Sequence, residues 1–289
     1  MDVPSGTVSI VDRAVVVVAI LIGLMAMVDT LALSIRTSGA ISKRLATALA
    51  LFGLVIVFAR LSNLIQAPIV GNMADKTDVS VPALRDLLLE ALRWKIHIII
   101  LATSIGTIVG GLLTPTFVRI FRRVMEIFEQ VKTLPRVMLY LLYPRRWLQL
   151  PRYIVWPHPE RISGYLRGFG RLPLDFIFFQ VLVTAFYTVG VLATIYAAAL
   201  HPQLRATSVT LSGIVNGIAT LLLFILVDPP AAMITDQCIN GVRPIEDVKI
   251  MNTYLVAARF IGTILAQFIL VVMAHWVMLA AGFVDALFP

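Results

Sequence analysis

Asp29, Arg60 and Arg259 are charged side chains set inside long apolar runs of this sequence. Placing an Arg or Asp at the centre of a membrane helix costs about 2.5–3.5 kcal/mol on insertion scales. Stability alone gives no reason to put them there, so their chemistry must. A guanidinium with no carboxylate at its depth faces a water-filled cavity or keeps its planar fork of donors for an anionic ligand. Arg60 is such a group, with Asn63 and Gln66 following at i+3 and i+6. Asp29 and Arg259 fall at compatible depths, so a buried ion pair between them is geometrically allowed. Arg259, Thr263 and Gln267 follow i, i+4, i+8 and share nearly one helix face, which His275 continues loosely. Gln180, Thr184 and Tyr187 in one further run, and Thr210, Asn216 and Thr220 in another, add polar faces. Helices with such faces can enclose a hydrophilic cleft within a lipid-facing exterior.

The elements that must position these groups follow from composition. Of 289 residues, 59% are apolar and 14% charged, and the mean hydropathy is +0.92. Soluble domains carry about 45–50% apolar and about 25% charged residues. A soluble fold has too little interior for this much apolar side chain, which argues against a water-soluble enzyme and excludes a disordered chain. Six runs are long enough to cross the hydrocarbon layer as helices: residues 14–35, 46–69, 94–113, 174–200, 206–227 and 256–283. They are continuous rather than alternating, unlike barrel strands. The expected fold is an all-α polytopic membrane protein, one transmembrane domain over residues 1–289, with about six transmembrane helices plus amphipathic interfacial helices. The first run lacks a basic leader and is too long for a signal peptide, so it reads as retained.

Charge orients the spans. Sixteen of the 24 Lys and Arg residues fall in the connections after spans one, three and five, and six on the other side. Cytoplasmic odd-numbered connections with both termini outside are therefore expected. The connection over residues 117–172 is the basic one: eleven Lys and Arg against three Glu between Arg119 and Arg171. It opens as an amphipathic helix continuing span three, with Phe117, Ile120, Phe121, Val124 and Phe128 on one face. Further on, Tyr140, Tyr143, Trp147 and Tyr153 interleave with Arg145, Arg146 and Arg152. Such a mixture either anchors the protein in the headgroup layer or attracts anionic lipid headgroups there. Nucleic acid is not an expected partner, because the aromatics sit where a membrane surface belongs. Before span three, residues 82–92 place Leu84, Leu87, Leu88 and Leu92 on one face, as in a helix lying flat on the outer surface.

No soluble-type catalytic constellation emerges. Cys238, in a stretch that reads as a loop, is the only cysteine, which excludes an internal disulfide and a cysteine-based metal cluster. His97, His158, His201 and His275 are scattered, with no carboxylate at ligand spacing. No metal, cofactor or nucleotide-hydrolysing loop is expected. Gly106, Gly110 and Gly111 read as close helix packing. Three classes stay open on these residues: a transporter, a membrane-embedded enzyme that modifies a lipid, and a scaffold that docks partners through the basic connection.

Three segments resemble the Amj family of bacterial alternate lipid II flippases: Asp29–Gly39 (DTLALSIRTSG), Ala59–Asn72 (ARLSNLIQAPIVGN) and Ala258–Thr263 (ARFIGT). Leu33 stands where the family is expected to carry an aromatic residue. The resemblance implies a non-enzymatic flippase of the bacterial cytoplasmic membrane, serving cell-wall synthesis. It would carry a polyprenyl-pyrophosphate-linked peptidoglycan precursor from the inner to the outer leaflet. On that reading Arg36, Arg259 and Arg60 form successive cationic stations for the pyrophosphate, with Asn63, Gln66 and Gln267 shaping the site. The Asp29–Arg259 pair would act as a gate, and Arg145, Arg146 and Arg152 would gather the headgroup.

Overall fold

The computed structural model describes residues 9–131, 154–166, 168–173 and 175–288, without the side chains of residues 58–64 and of a few other helical positions. Within them the chain is helical: α1 (Arg13–Ser42), α2 (Leu45–Asp75), α3 (Pro82–Val131), α4 (Pro159–Leu166), α5 (Asp175–Leu200), α6 (Arg205–Leu222), α7 (Asp228–Ile239) and α8 (Glu246–Leu287). Five stretches are long and apolar enough to cross a membrane: Arg13–Ser42, Pro82–Phe128, Asp175–Leu200, Pro202–Ile239 and Glu246–Leu287. The second long helix, α2, is apolar over Ala46–Val57, the first part of its described side chains.

Local chemistry sets the helix ends. Asp12 caps α1, its carboxylate accepting from the Val15 N–H at 2.9 Å. Lys43 ends α1 in the left-handed conformation, at φ 55°, and α2 begins two residues later. Gly39 lets this hairpin close, because a Cβ there would overlap the Ala48 side chain. Residues 82–92 are not a separate surface helix. They are the first turns of the unbroken 50-residue α3, about 75 Å long at 1.5 Å per residue. Nothing in their sequence breaks the helix before the span begins. The stretch around Cys238 is likewise helical, as the end of α7. Between α6 and α7 the helix loosens into one π-helical turn, Leu223–Val227, ahead of Asp228-Pro229-Pro230. Neither proline has an N–H to give to the turn before it.

The helices form two three-helix halves. In the first, α1 lies between α2 and α3; in the second, α5 lies between α6 and α8. Each half rests on a close backbone approach through small residues. A Cβ on Gly106 would overlap the Gly23 carbonyl, and one on Gly110 would come within 2.8 Å of the Met27 carbonyl oxygen, so α3 sits directly on α1. A Cβ on Gly262 would meet the Val181 carbonyl oxygen at 2.7 Å, which sets α8 directly on α5. Two apolar clusters span the seam between the halves. One, near the basic end, includes Ile35, Phe52, Met125, Phe176 and Met251. The other, near the opposite end, includes Ile22, Ile96, Leu192 and Leu270. Large apolar residues such as Phe178, Phe268, Trp276 and Leu279 point outwards and are well exposed, as side chains in contact with lipid must be.

Candidate functional site

Polar groups are concentrated between the two apolar clusters. One rank of them runs along α8. Asn252 donates through Nδ2 to the Leu33 carbonyl at 2.8 Å and to Thr37 Oγ1 at 2.5 Å, both on α1. Arg259 donates through Nη1 to Asp29 Oδ2 at 2.9 Å, also on α1. Thr263 accepts from Ser104 Oγ of α3 at 2.9 Å. Gln267 gives its amide to the His97 carbonyl at 3.1 Å and meets His97 Nδ1 at 2.6 Å. Residues 252, 259, 263 and 267 repeat at seven, four and four, so they share one face of α8 and cover about 22 Å of its length. Every one of these contacts joins the second half of the molecule to the first.

Behind the Arg259 and Thr263 contacts lies a cavity of about 60 Å³. A water needs roughly 10–15 Å³ of such space, so this one holds a few. All three helices of the first half contribute polar groups: Asp29 from α1, Gln66 from α2, and Thr103 and Thr107 from α3. From the second half come Gln180, Thr184 and Tyr187 of α5 and Arg259 and Thr263 of α8. The Arg259 side chain is 9% exposed and that of Asp29 24%. Asp29 Oδ1 and Arg259 Nε find no partner among the described residues. Each member of the pair therefore keeps unused hydrogen-bonding capacity at the cavity.

Further towards the basic end, Arg36 is held in a different way. Its Nη2 meets Asp228 Oδ1 at 2.5 Å, its side chain is 3% exposed, and its guanidinium lies 4.3 Å above the Phe52 ring. It lines neither the central cavity nor the groove described next. At the opposite end, Arg205 bridges to Asp75 at 3.0 Å and Asp78 at 3.5 Å, again across the halves.

A second, larger opening of about 710 Å³ runs along α3 and α8 towards the basic end. The chain around Val155 roofs it. Thr116 Oγ1 donates to the Val155 carbonyl at 3.1 Å and accepts its N–H at 2.9 Å.

The structure thus brings together Asp29, Arg259 and Gln66 around one cavity and puts Gln267 on the same helix face, tied to His97. It sets Arg36 apart, bonded to Asp228. The Arg60 and Asn63 side chains, and Arg145, Arg146 and Arg152, lie outside the described residues. Sequence reasoning missed Asn252, Ser104 and Thr107. Asn252 lies seven residues before Arg259 on the same face, and that spacing was the available signal.

The sequence model of a family described as "Amj: Alternate to MurJ" matches residues 21–281. A protein of Bacillus subtilis (strain 168) named Lipid II flippase Amj is 31% identical over 263 residues, covering 86% of this chain and 90% of its own length. No solved structure matches.

Proposed function

This chain belongs to the Amj family, and from that premise we propose that it is a non-enzymatic flippase carrying a polyprenyl-pyrophosphate-linked peptidoglycan precursor from the inner to the outer leaflet of the bacterial cytoplasmic membrane. The observation that carries the reading is the polar cavity between two halves, crossed by the Asp29–Arg259 pair and flanked by apolar clusters on both sides. An isolated charge at this depth is costly, whereas a pair beside a few waters is tolerable. An arriving pyrophosphate is a better partner for Arg259 than one carboxylate, because it offers more oxygens to the bidentate fork. Exchange of Asp29 for phosphate on Arg259 releases a bond between the halves. Headgroup binding is thereby coupled to their separation, which alternating exposure requires. Arg60, with Asn63, supplies further cationic and polar contacts nearer the outer leaflet, while Gln66 and Gln267 shape the path. Both termini lie outside on this reading. The basic connection with Arg145, Arg146 and Arg152 gathers the headgroup and anionic lipids at the inner surface.

Replacement in cells depleted of their essential lipid II flippase tests this. The chain supports growth, and Arg259→Gln and Arg60→Ala do not, although both insert to wild-type levels. Arg60→Lys restores growth in part, since Lys lacks the fork. Failure of the wild-type chain to support growth refutes the transport reading; full growth with both variants refutes the cationic path.

A further inference from the structure

Resting on the transport reading, we infer that the groove between α3, α8 and the chain around Val155 is where the substrate's prenyl-phosphate end docks from the inner leaflet. The groove follows α3 from Thr107 to Arg122, which is about 22 Å at 1.5 Å per residue. Its walls are apolar in the membrane portion, from Ile108 and Leu112 on α3 to Val256 and Phe260 on α8. At the basic end the lining changes to Arg119, Arg122, His158 and Lys249, and no carboxylate among the described residues lines it. Arg119 and Arg122 have no ion-pair partner among the described residues. An amphiphile with an apolar chain and a phosphate at one end matches both the sequence of surfaces and their sign.

Two further observations point to an occupant. Asn252 lines the groove, is 3% exposed, and leaves Oδ1 without a partner among the described residues while both its amide contacts go to α1. A buried acceptor of this kind is costly unless a donor reaches it. A sugar hydroxyl or amide N–H next to the pyrophosphate is such a donor. Thr107 lines both this groove and the central cavity, so the two are separated by one side chain. The Thr116–Val155 clip closes over one side of the groove, leaving a slot that one long prenyl chain can enter.

The test is photocrosslinking in vesicles that contain the full chain, with a photoreactive residue at Leu112. The probe is a radiolabelled polyprenyl pyrophosphate. Label attaches at Leu112; unlabelled polyprenyl pyrophosphate competes at concentrations at least tenfold lower than phosphatidylglycerol does. Arg119→Glu/Arg122→Glu lowers labelling at least fivefold, and Arg119→Lys/Arg122→Lys preserves most of it. Both positions are exposed, so these variants fold. No labelling, equal competition by phosphatidylglycerol, or labelling indifferent to charge reversal overturns the inference. The readout is binding, so a chain that captures the probe yet fails the growth test loses the transport reading and not the groove.

Discussion

The Asp29–Arg259 pair lends itself to a double-mutant cycle. Asp29→Asn leaves the Arg259 guanidinium, 9% exposed, without an anion. The cost is that of an uncompensated buried charge, about 3 kcal/mol at the lower end of the range for broken buried pairs. The lower end applies because the guanidinium borders a cavity roomy enough for a few waters. Arg259→Gln is milder, about 1–2 kcal/mol, since the Asp29 side chain left behind is 24% exposed and borders the cavity. Removing both charges together, by combining Asp29→Asn with Arg259→Gln, returns stability to within about 1 kcal/mol of wild type, because an uncharged interhelical contact contributes about 0.6 kcal/mol. The coupling is then about 3 kcal/mol, roughly two orders of magnitude in an equilibrium constant. Denaturant unfolding in detergent micelles, followed by tryptophan fluorescence, measures all four corners. Transport separates stability from function: the double variant folds but does not carry substrate. Costs that add to within about 0.5 kcal/mol would show that the pair does not hold the halves together. A transport-competent double variant would remove Arg259 from the path.

Three other outcomes are expected. Asp228→Ala strands Arg36 over the Phe52 ring and lowers stability by about 3–5 kcal/mol, read in the same unfolding assay; an effect under about 1 kcal/mol would make that contact incidental. Gly106→Val drives a branched side chain into the Gly23 carbonyl and abolishes the folded peak in detergent gel filtration, whereas Gly53→Ala, with nothing within 4 Å of its Cβ, leaves it intact. Burial alone would raise the Asp12 carboxyl, but the Lys95 ammonium at 2.6 Å and the Val15 N–H outweigh it and hold it below the ordinary 3.8. A carboxyl held low stabilises the native state above its ordinary value and loses that contribution as pH falls through the native one. The protection of the first amides of α1, taken against the intrinsic exchange rate at each pH, therefore stays constant down to about pH 4 and falls below it; a loss of protection already near neutral pH would count against the cap.

Helical periodicity made much of this legible in the sequence. Arg259, Thr263 and Gln267 are one helix face in any α-helix, and depth counted from the span ends allowed Asp29 and Arg259 to pair. The three glycines of α3 read as close packing for the same local reason. What stayed hidden depends on partners far apart in the chain. Arg36 and Asp228 are 192 residues apart. The sequence shows a cation at one span's end and an acid after another, and nothing in it aligns the two. Arg36 consequently read as an open station when it is an occupied one. The roof over the groove rests on Thr116 and Val155, 39 residues apart, a polar pair no periodicity marks. Residues 82–92 misled because amphipathicity reports which face is wet, and a flat helix and the protruding end of a long one look alike by that measure.

The four polar attachments described above, at Asn252, Arg259, Thr263 and Gln267, all hang from a single uninterrupted rod. A rod held at several heights cannot release one end without loading the others, and if it pivots about Arg259 the Asn252 attachment swings opposite to that of Gln267. Parting at the Asn252 end then tightens the Gln267 end, which under the proposed transport cycle opposes opening to both compartments at once. Leakage across the bilayer during a transport cycle is thereby opposed by the leverage of one stiff helix, without a separate plug.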